Sequence, residues 1–153
     1  MIKAPSLVAE HTLIFSGDPA LNLPEDPAEA ASALEQARET NQWQALIREG
    51  ESPTLFHVRP LYGTLWDWLA GEVNRRQLSQ AEQWPFALRL ALRRVENFGS
   101  YKVSHTKIDG HSMATTEIID AIYTEGGGAG RQIVEELGSL VIIKATQGLR
   151  PKS

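Results

Sequence analysis

The fold is decided by the stretch from Pro53 to Gly99, which contains Thr64-Leu65-Trp66-Asp67-Trp68-Leu69 and Trp84-Pro85-Phe86-Ala87-Leu88-Arg89-Leu90-Ala91-Leu92-Arg93-Arg94-Val95-Glu96-Asn97-Phe98-Gly99. Three of the four Trp and three of the four Phe residues of the chain lie here. The pattern is typical of a pair of helices behind a short strand, and we expect this stretch to hold much of the core.

Two helices are predicted in this stretch. The first covers residues 64–76, because apolar residues recur at helical spacing. The second opens with a capping-box pattern, Ser79 with Glu82, and continues to about residue 96. Pro85 conflicts with a straight helix, so the helix either kinks or starts near Pro85. Its predicted apolar face is Leu88, Ala91, Leu92 and Val95, with Arg89, Arg93 and Glu96 opposite.

Three short strands are predicted, and together they would form a small antiparallel sheet. They cover residues 11–15, 55–59 and 100–108. The second is bounded by Pro53 and Pro60, which favours a position near the sheet edge. Asp109-Gly110 is a strong turn signal. No clear strand follows it, so the sequence does not decide whether a hairpin forms here.

The remaining helices are predicted from caps and apolar spacing. Asp26 is a suitable N-cap, with Pro27 in the first turn and Glu29 at the capping-box position, for a helix to about residue 39. A short helical turn is expected at 41–47, a helix at 116–123, and a last helix at 131–144. The glycine-rich run 126–130 separates the last two.

These elements predict an α+β, mostly helical single domain with a small antiparallel sheet and an extended N-terminal arm. The arm covers residues 1–24 and includes the first strand, the globular domain covers 25–147, and 148–153 form a tail. The predicted core comprises Trp66, Trp68, Leu69, Leu88, Leu92, Val95, Leu137 and Val141.

Composition limits the classes of protein. A chain of 153 residues fits one domain. It lacks Cys, which excludes disulfides and thiolate chemistry. The net charge of −4 counts against general nucleic-acid binding. No apolar run is long enough to span a membrane, and no signal-peptide pattern is present.

No motif indicates a reaction, and we predict no catalytic, cofactor-binding or metal-ligating residue. The run 126–130 could hold an anion on its N–H groups, but Arg131-Gln132 follows it instead of the Lys-Ser/Thr of a phosphate loop. A linker is favoured. His105, Asp109, His111 and Glu117 have metal-ligand chemistry without diagnostic spacing, so solvated loop residues are favoured.

Two further polar patterns are relevant to catalysis. No Gly-x-Ser-x-Gly elbow is present, and a triad built from scattered residues is neither shown nor excluded. Glu135-Glu136 is best explained as a solvated helix face.

The arginines form the most distinctive polar feature. Arg89 and Arg93 are four residues apart on the predicted helix, Arg94 follows, and Arg75-Arg76 end the preceding helix. This cluster is the candidate partner-binding surface, for nucleic acid or an acidic protein. The favoured alternative is structural, because Arg complements helix C-termini and its stem covers apolar surface.

Three tracts carry a resemblance to known proteins: Gly50-Glu51-Ser52-Pro53-Thr54-Leu55-Phe56-His57-Val58-Arg59-Pro60-Leu61, Val95-Glu96-Asn97-Phe98-Gly99 and Val134-Glu135-Glu136-Leu137-Gly138. With the order of elements, they resemble small minor virion or tail-assembly proteins of bacteriophages. The resemblance implies a structural role and carries over no functional residue.

The function expected is therefore a non-enzymatic structural or assembly role in a bacteriophage-type particle. It would act through contacts with a larger virion or tail protein, or with copies of itself, in the host cytoplasm and then in the virion. The N-terminal arm favours this, because its apolar residues are poorly patterned and would need a groove on a neighbour. The alternative is a small regulator or inhibitor that binds nucleic acid or a nucleoprotein through the Arg face. A hydrolase or metal enzyme using residues 105–117 is a third hypothesis.

Overall fold

The structure is a computed structural model that describes residues 10–148. Its regular elements, in chain order, are β1 (His11–Leu13), α1 (Pro27–Thr40), β2 (Leu55–Val58), α2 (Thr64–Arg76), α3 (Gln80–Ala91), β3 (Leu92–Glu96), β4 (His105–Ile108), β5 (His111–Ala114), α4 (Thr116–Glu125) and α5 (Gly130–Gly148). Short 3-10 turns occupy Gln44–Leu46 and Gly127–Ala129. The α+β single-domain prediction is confirmed.

The larger sheet has three antiparallel strands in the order β1-β2-β3. The prediction that the 55–59 strand lies near an edge is wrong, because β2 is the central strand. Its flanking prolines, Pro53 and Pro60, lie outside the paired residues 55–58. Their lack of an N–H therefore removes no hydrogen bond between strands. The third strand is β3 and does not include the predicted Val103.

Helix α3 ends earlier than the predicted helix, which continues to about residue 96. Its capping box, formed by Ser79 and Glu82, is present, and Pro85 lies inside α3. The helix nevertheless stops at Ala91, and residues 92–96 form β3. Leucine and arginine at these positions are compatible with a helix, but pairing with β2 overrides that local preference. Arg89 and Arg93 therefore do not share a helix face.

A bulge marks the start of β3. His57 pairs with Arg94 and Val58 pairs with Leu92, so Arg93 is the additional residue and has no partner in β2. Such a bulge redirects a side chain and increases the local twist. Arg93 consequently turns toward β5, where its contacts are described below.

Asp109-Gly110 closes a hairpin between β4 and β5. Both turn residues have positive φ, 52° and 80°, as a tight two-residue turn requires. The predicted strand at 100–108 is shorter than expected, and β5 was not predicted because His111-Ser112-Met113-Ala114 contains no β-branched residue.

Helices α3 and α4 pack against α5. Asp26 caps α1 by accepting from the Glu29 N–H at 3.1 Å. Helices α3 and α5 cross where Gly138 lies against Trp84: a Cβ at position 138 would be 2.5 Å from the Trp84 carbonyl oxygen. The run 126–130 is a compact turn, in which a Cβ on Gly126 or Gly130 would meet the Ile122 carbonyl oxygen.

The core has two parts. The main cluster includes five of the predicted residues as buried (Leu69, Leu88, Leu92, Leu137 and Val141), while Trp66, Trp68 and Val95 are only partly buried against it. Its unpredicted members include Leu13, Met113, Ile118 and Ile122. A smaller cluster comprises Ile14, Leu21, Leu34, Ala37 and Trp43.

The predicted N-terminal arm is only partly within the described residues. Leu13, Ile14 and Leu21 are buried within their own chain, so residues 11–21 belong to the domain and need no neighbour to cover them. Residues 1–9 and 149–153 lie outside the described part. Within residues 10–148, no helix is long and apolar enough to cross a membrane.

Candidate binding groove

An open groove of about 810 Å³ lies beside one end of the three-stranded sheet. It lies between the loop after β1, the loop after β3, and helices α4 and α5. We call it the aromatic groove. Its lining includes Phe15, Asp18, Phe56, Phe98, Tyr101, Lys102, Ala121, Ile122, Glu125 and Ile133.

An aromatic row forms the floor of the groove. Phe98 lies between Phe56 and Tyr101, with ring centroids 6.5 Å and 6.2 Å away. These separations fall in the range of favourable ring contacts. The backbone of the row is bent by positive φ at Asn97 (60°) and Gly99 (56°), which turns the chain out of β3 and into the groove.

Hydrogen bonds hold the loops around this floor. The Asn97 side chain donates to the Pro53 carbonyl oxygen at 3.0 Å, and the Thr54 hydroxyl donates to the Asn97 carbonyl oxygen at 2.8 Å. Asp18 accepts from the Thr54 N–H at 3.0 Å and from the Ala20 N–H at 2.9 Å. The groove is therefore preformed, as binding sites commonly are.

One hydroxyl in the groove has no partner. The Tyr101 hydroxyl oxygen is buried and makes no hydrogen bond with any described residue. Burial raises the pKa of Tyr101, and the carboxylates of Glu117 and Asp120 raise it further. The phenol therefore stays protonated at neutral pH.

Helix α4 contributes the Glu125 carboxylate to the groove lining, which also contains the cation Lys102. Glu117, Ala121 and Glu125 follow one another at four-residue spacing, which places them along one side of the helix. Glu117, Asp120 and Glu125 are exposed, and none of them forms an ion pair with a described residue. Because Lys102 and Glu125 both line the groove, its lining carries charges of both signs.

The predicted arginine surface is not assembled as one face. Arg75 and Arg76 at the end of α2 both bind the buried carboxylate of Glu72, at 2.7 Å each. Arg76 also lies 5.3 Å from the Phe86 ring centroid. Arg94 lies on the sheet and pairs with Glu10 at 3.0 Å. These guanidinium groups are largely engaged within the chain.

Arg89 and Arg93 hold the second hairpin, together with the unpredicted Arg59. Arg89 donates to the Ala114 carbonyl oxygen at 2.8 Å. Arg59 and Arg93 both donate to the Ser112 carbonyl oxygen, at 2.5 Å and 3.0 Å. Burial, with help from the nearby Arg59, lowers the pKa of Arg93 to about 10, so it remains charged at neutral pH. The three arginines thus bind the outer edge of β5.

A row of polar side chains crosses the other face of the three-stranded sheet. His57 is 6% exposed, and both of its ring nitrogens are engaged. Nδ1 lies 3.1 Å from the Thr12 hydroxyl, and Nε2 lies 2.5 Å from a Glu96 carboxylate oxygen. This bond to His57 is the main reason that the pKa of Glu96 is lowered. These contacts satisfy both ring nitrogens of the buried imidazole and link the three strands.

Three of the four candidate metal ligands, His105, Asp109 and His111, make contacts within the chain. His105 Nε2 lies 3.0 Å from the Leu92 carbonyl oxygen, and Asp109 accepts from the Trp68 indole at 3.1 Å. The His111 ring packs on Trp68 at 4.9 Å. Within residues 10–148, no three potential ligands converge on a metal site.

The acidic pair on α5 is divided between two contacts. Glu136 accepts from the Ser16 N–H at 2.7 Å and from its hydroxyl. Glu135 pairs with Arg131 at 3.3 Å. Interpretation as a wholly solvated face is therefore wrong for Glu136, which ties α5 to the loop after β1.

Sequence reasoning missed the groove because four separate segments build it. Two features of the sequence could have indicated it: the turn residues Asn97 and Gly99, and the aromatic residues Phe98 and Tyr101, which fit no helix or strand periodicity. No protein-family model matches the chain, and comparisons with curated proteins and with solved structures find no similar protein.

Proposed function

We propose that this protein is a non-enzymatic assembly protein of a bacteriophage-type particle and that it binds an extended segment of another protein chain. The observation that carries the proposal is the aromatic groove, whose lining combines aromatic side chains with the charged groups of Glu125 and Lys102. Its volume falls within the range of ligand pockets.

An extended segment suits the groove better than a folded surface. The groove is open to solvent, so a chain can lie in it and place apolar side chains on the partly exposed Phe15 and Phe98. Burial of aromatic side chains supplies most of the binding energy in such contacts.

The particle setting follows from the likeness to minor virion and tail-assembly proteins described above. In that setting the protein acts in the host cytoplasm during assembly and remains in the virion. Its partner is a larger virion or tail protein, or another copy of the chain.

The alternative, a regulator that binds nucleic acid through Arg75, Arg76, Arg89, Arg93 and Arg94, has less support. Arg75 and Arg76 share one carboxylate, and Arg89 and Arg93 hold main-chain oxygens. We expect no retention on a DNA column at physiological salt. Retention that falls with salt and is lost in Arg75→Gln/Arg76→Gln would favour the alternative.

Site-specific photo-crosslinking tests the proposal. A benzoylphenylalanine is introduced at Lys102, which lines the groove, and at Glu35, which is exposed on α1, in cells where the particle assembles. We expect a crosslinked protein adduct at position 102 and none at position 35. No adduct at position 102, or equal yields at both positions, would contradict a binding role for the groove.

A further inference from the structure

We propose that Thr12 is an acylation site: its hydroxyl, activated by His57 and Glu96, attacks a neutral ester and retains the acyl group. The inference goes beyond the proposed binding role and does not depend on the aromatic groove. It assigns one acyl group per chain, without turnover.

Three side chains form a hydroxyl–imidazole–carboxylate chain across the sheet. The Thr12 hydroxyl lies 3.1 Å from Nδ1 of His57, and Nε2 of the same ring lies 2.5 Å from a Glu96 carboxylate oxygen. Strands β1, β2 and β3 each supply one of these residues, so strand pairing fixes the arrangement. The order of groups is that of a serine-type triad, which is recognised by geometry and not by position in the chain.

The carboxylate decides the direction of the hydrogen bonds. The bond to His57 holds the pKa of Glu96 below its usual value, so Glu96 is ionised at neutral pH and accepts from Nε2–H. A neutral imidazole with its proton on Nε2 has a lone pair on Nδ1, which accepts from the Thr12 hydroxyl. His57 is therefore in position to act as a general base toward that hydroxyl.

The backbone of Thr12 is fixed on both sides. Its N–H donates to the Asn41 side chain at 2.8 Å, and its carbonyl oxygen accepts from the Trp43 indole at 2.9 Å. A hydroxyl on a fixed backbone, next to its base, loses little freedom when it reacts. These contacts therefore favour reaction at Thr12 over reaction at a hydroxyl on a loop.

Thr12 lines an open surface depression of about 470 Å³. Trp43, Ile47 and Leu55 belong to the same lining. An apolar acyl group that entered the depression would have these side chains to pack on.

The charged residues of the depression select the kind of ester. Arg48, Glu49 and Glu51 all line it. Arg48 forms no ion pair with a described residue, and its charge can stabilise the oxyanion that develops on an attacked carbonyl. The two carboxylates disfavour an ester that carries negative charge, so a neutral ester is the suitable reactant.

The reaction conserves atoms and charge. The Thr12 oxygen bonds to the ester carbonyl carbon while its proton passes to Nδ1 of His57. The tetrahedral intermediate then expels the alcohol oxygen, which takes that proton from His57, and the products are acyl-Thr12 and a free alcohol. Glu96 stabilises the imidazolium between these steps without touching the ester, so it is a positioning residue.

Labelling with p-nitrophenyl acetate tests the inference on the full chain. Peptide mapping by mass spectrometry locates each acetyl group. Neutral hydroxylamine removes acetyl from a threonine ester and leaves acetyl-lysine intact, which separates Thr12 from background labelling of amines. We expect one hydroxylamine-labile acetyl group per chain, at Thr12.

Two substitutions at position 12 separate the hydroxyl from the shape of the side chain. Thr12→Val keeps the β-branched shape and should abolish the labile acetyl group, whereas Thr12→Ser should retain it. The matched control is Thr106→Val, which removes a hydroxyl from an exposed position in β4 and should leave labelling at Thr12 unchanged. Circular dichroism checks that each variant folds.

The positioning role is tested by Glu96→Gln. This variant keeps an acceptor for Nε2–H and removes the negative charge. The rate of labelling at Thr12 should fall about 10²-fold, because general-base assistance contributes about 10²–10⁴-fold to rates. If Glu96 only stabilised the fold, the rate per folded molecule would stay the same.

Three outcomes would overturn the inference: no hydroxylamine-labile acetyl group at Thr12 in the full chain, labelling of Thr106 as fast as that of Thr12, or an unchanged rate in Glu96→Gln. None of them alters the crosslink expected from position 102. The acylation site and the proposed function therefore fail independently.

Discussion

His57 shows how one buried side chain joins three strands. Its Nδ1 atom forms a hydrogen bond with the Thr12 hydroxyl of β1, and its Nε2 atom forms one with the Glu96 carboxylate of β3. A buried imidazole that lost one of these partners would retain an unsatisfied polar atom, which is costly. Both bonds are therefore needed to keep the imidazole buried between the strands.

The first prediction concerns the pH dependence of this contact. His57 holds the pKa of Glu96 below its usual 4.5, so the carboxylate favours the folded state. That contribution is fully present above pH 4.5 and is lost as the pH falls through the lower folded-state pKa. Glu96→Gln should lower the melting temperature at pH 7, and the difference from the unmodified protein should shrink toward pH 3.

Thermal melts at several pH values measure this effect. Glu35→Gln is the control, since Glu35 is exposed on α1. A melting-temperature difference for Glu96→Gln that is constant across this pH range would refute the assigned role of the carboxylate.

The second prediction concerns Gly138. A Cβ there would be 2.5 Å from the Trp84 carbonyl oxygen, which belongs to the helix backbone and cannot move aside cheaply. Gly138→Ala should therefore cost about 1–3 kcal/mol in urea unfolding, as overpacked positions do. Gly71→Ala is the matched control: Gly71 is exposed in α2 with open space around its Cβ position, so alanine should add about 0.5–1 kcal/mol. Equal effects of the two substitutions would show that α3 and α5 pack less closely.

At the level of elements, the sequence predicted the helices better than the sheet. Asp26, Ser79 and Glu82 marked helix starts through local hydrogen bonds, which a sequence can reveal. Strand β3 was mistaken for helix because Leu92 and Arg93 suit both conformations, and only pairing with β2, some 35 residues away, decides between them.

The arginine contacts with β5 lead to the third prediction. Arg93→Met retains the apolar stem and removes the charged donors to Ser112. It should cost about 1.5–3 kcal/mol, the usual contribution of hydrogen bonds from a charged group. Amide exchange in residues 111–114 should quicken. Arg94→Met, which loses only exposed ion pairs, should cost less than about 1 kcal/mol. A smaller loss for Arg93→Met than for Arg94→Met would be incompatible with this assignment.

At the scale of the whole molecule, two core clusters of unequal size imply unequal local stability. Helix α1 buries only Leu34 and Ala37, whereas α3 buries five residues in the main cluster. The fourth prediction is that amides of α1 exchange through openings of lower free energy than those of α3 in native-state hydrogen exchange. Identical opening free energies would mean that the two clusters unfold as one unit.

The groove illustrates what sequence alone cannot supply at this scale. Its aromatic residues come from positions 15, 56, 98 and 101, and neither spacing nor motif connects them. The prediction of a partner-binding Arg face relied on a helix that ends at Ala91. The sequence predicts a role in protein contacts from its composition and its resemblance to small bacteriophage proteins. The surface proposed for that role is formed only by the tertiary structure.

The outer edge of β1 is closed by side chains from the segment that follows α1. The Thr12 N–H donates to the Asn41 side chain at 2.8 Å, and the Thr12 carbonyl oxygen accepts from the Trp43 indole at 2.9 Å. An amide and an indole thus take the positions that a fourth strand would occupy. Sheets of neighbouring molecules cannot join at this edge, so a crowded solution of the protein is protected there from the cross-β stacking that leads to fibrils.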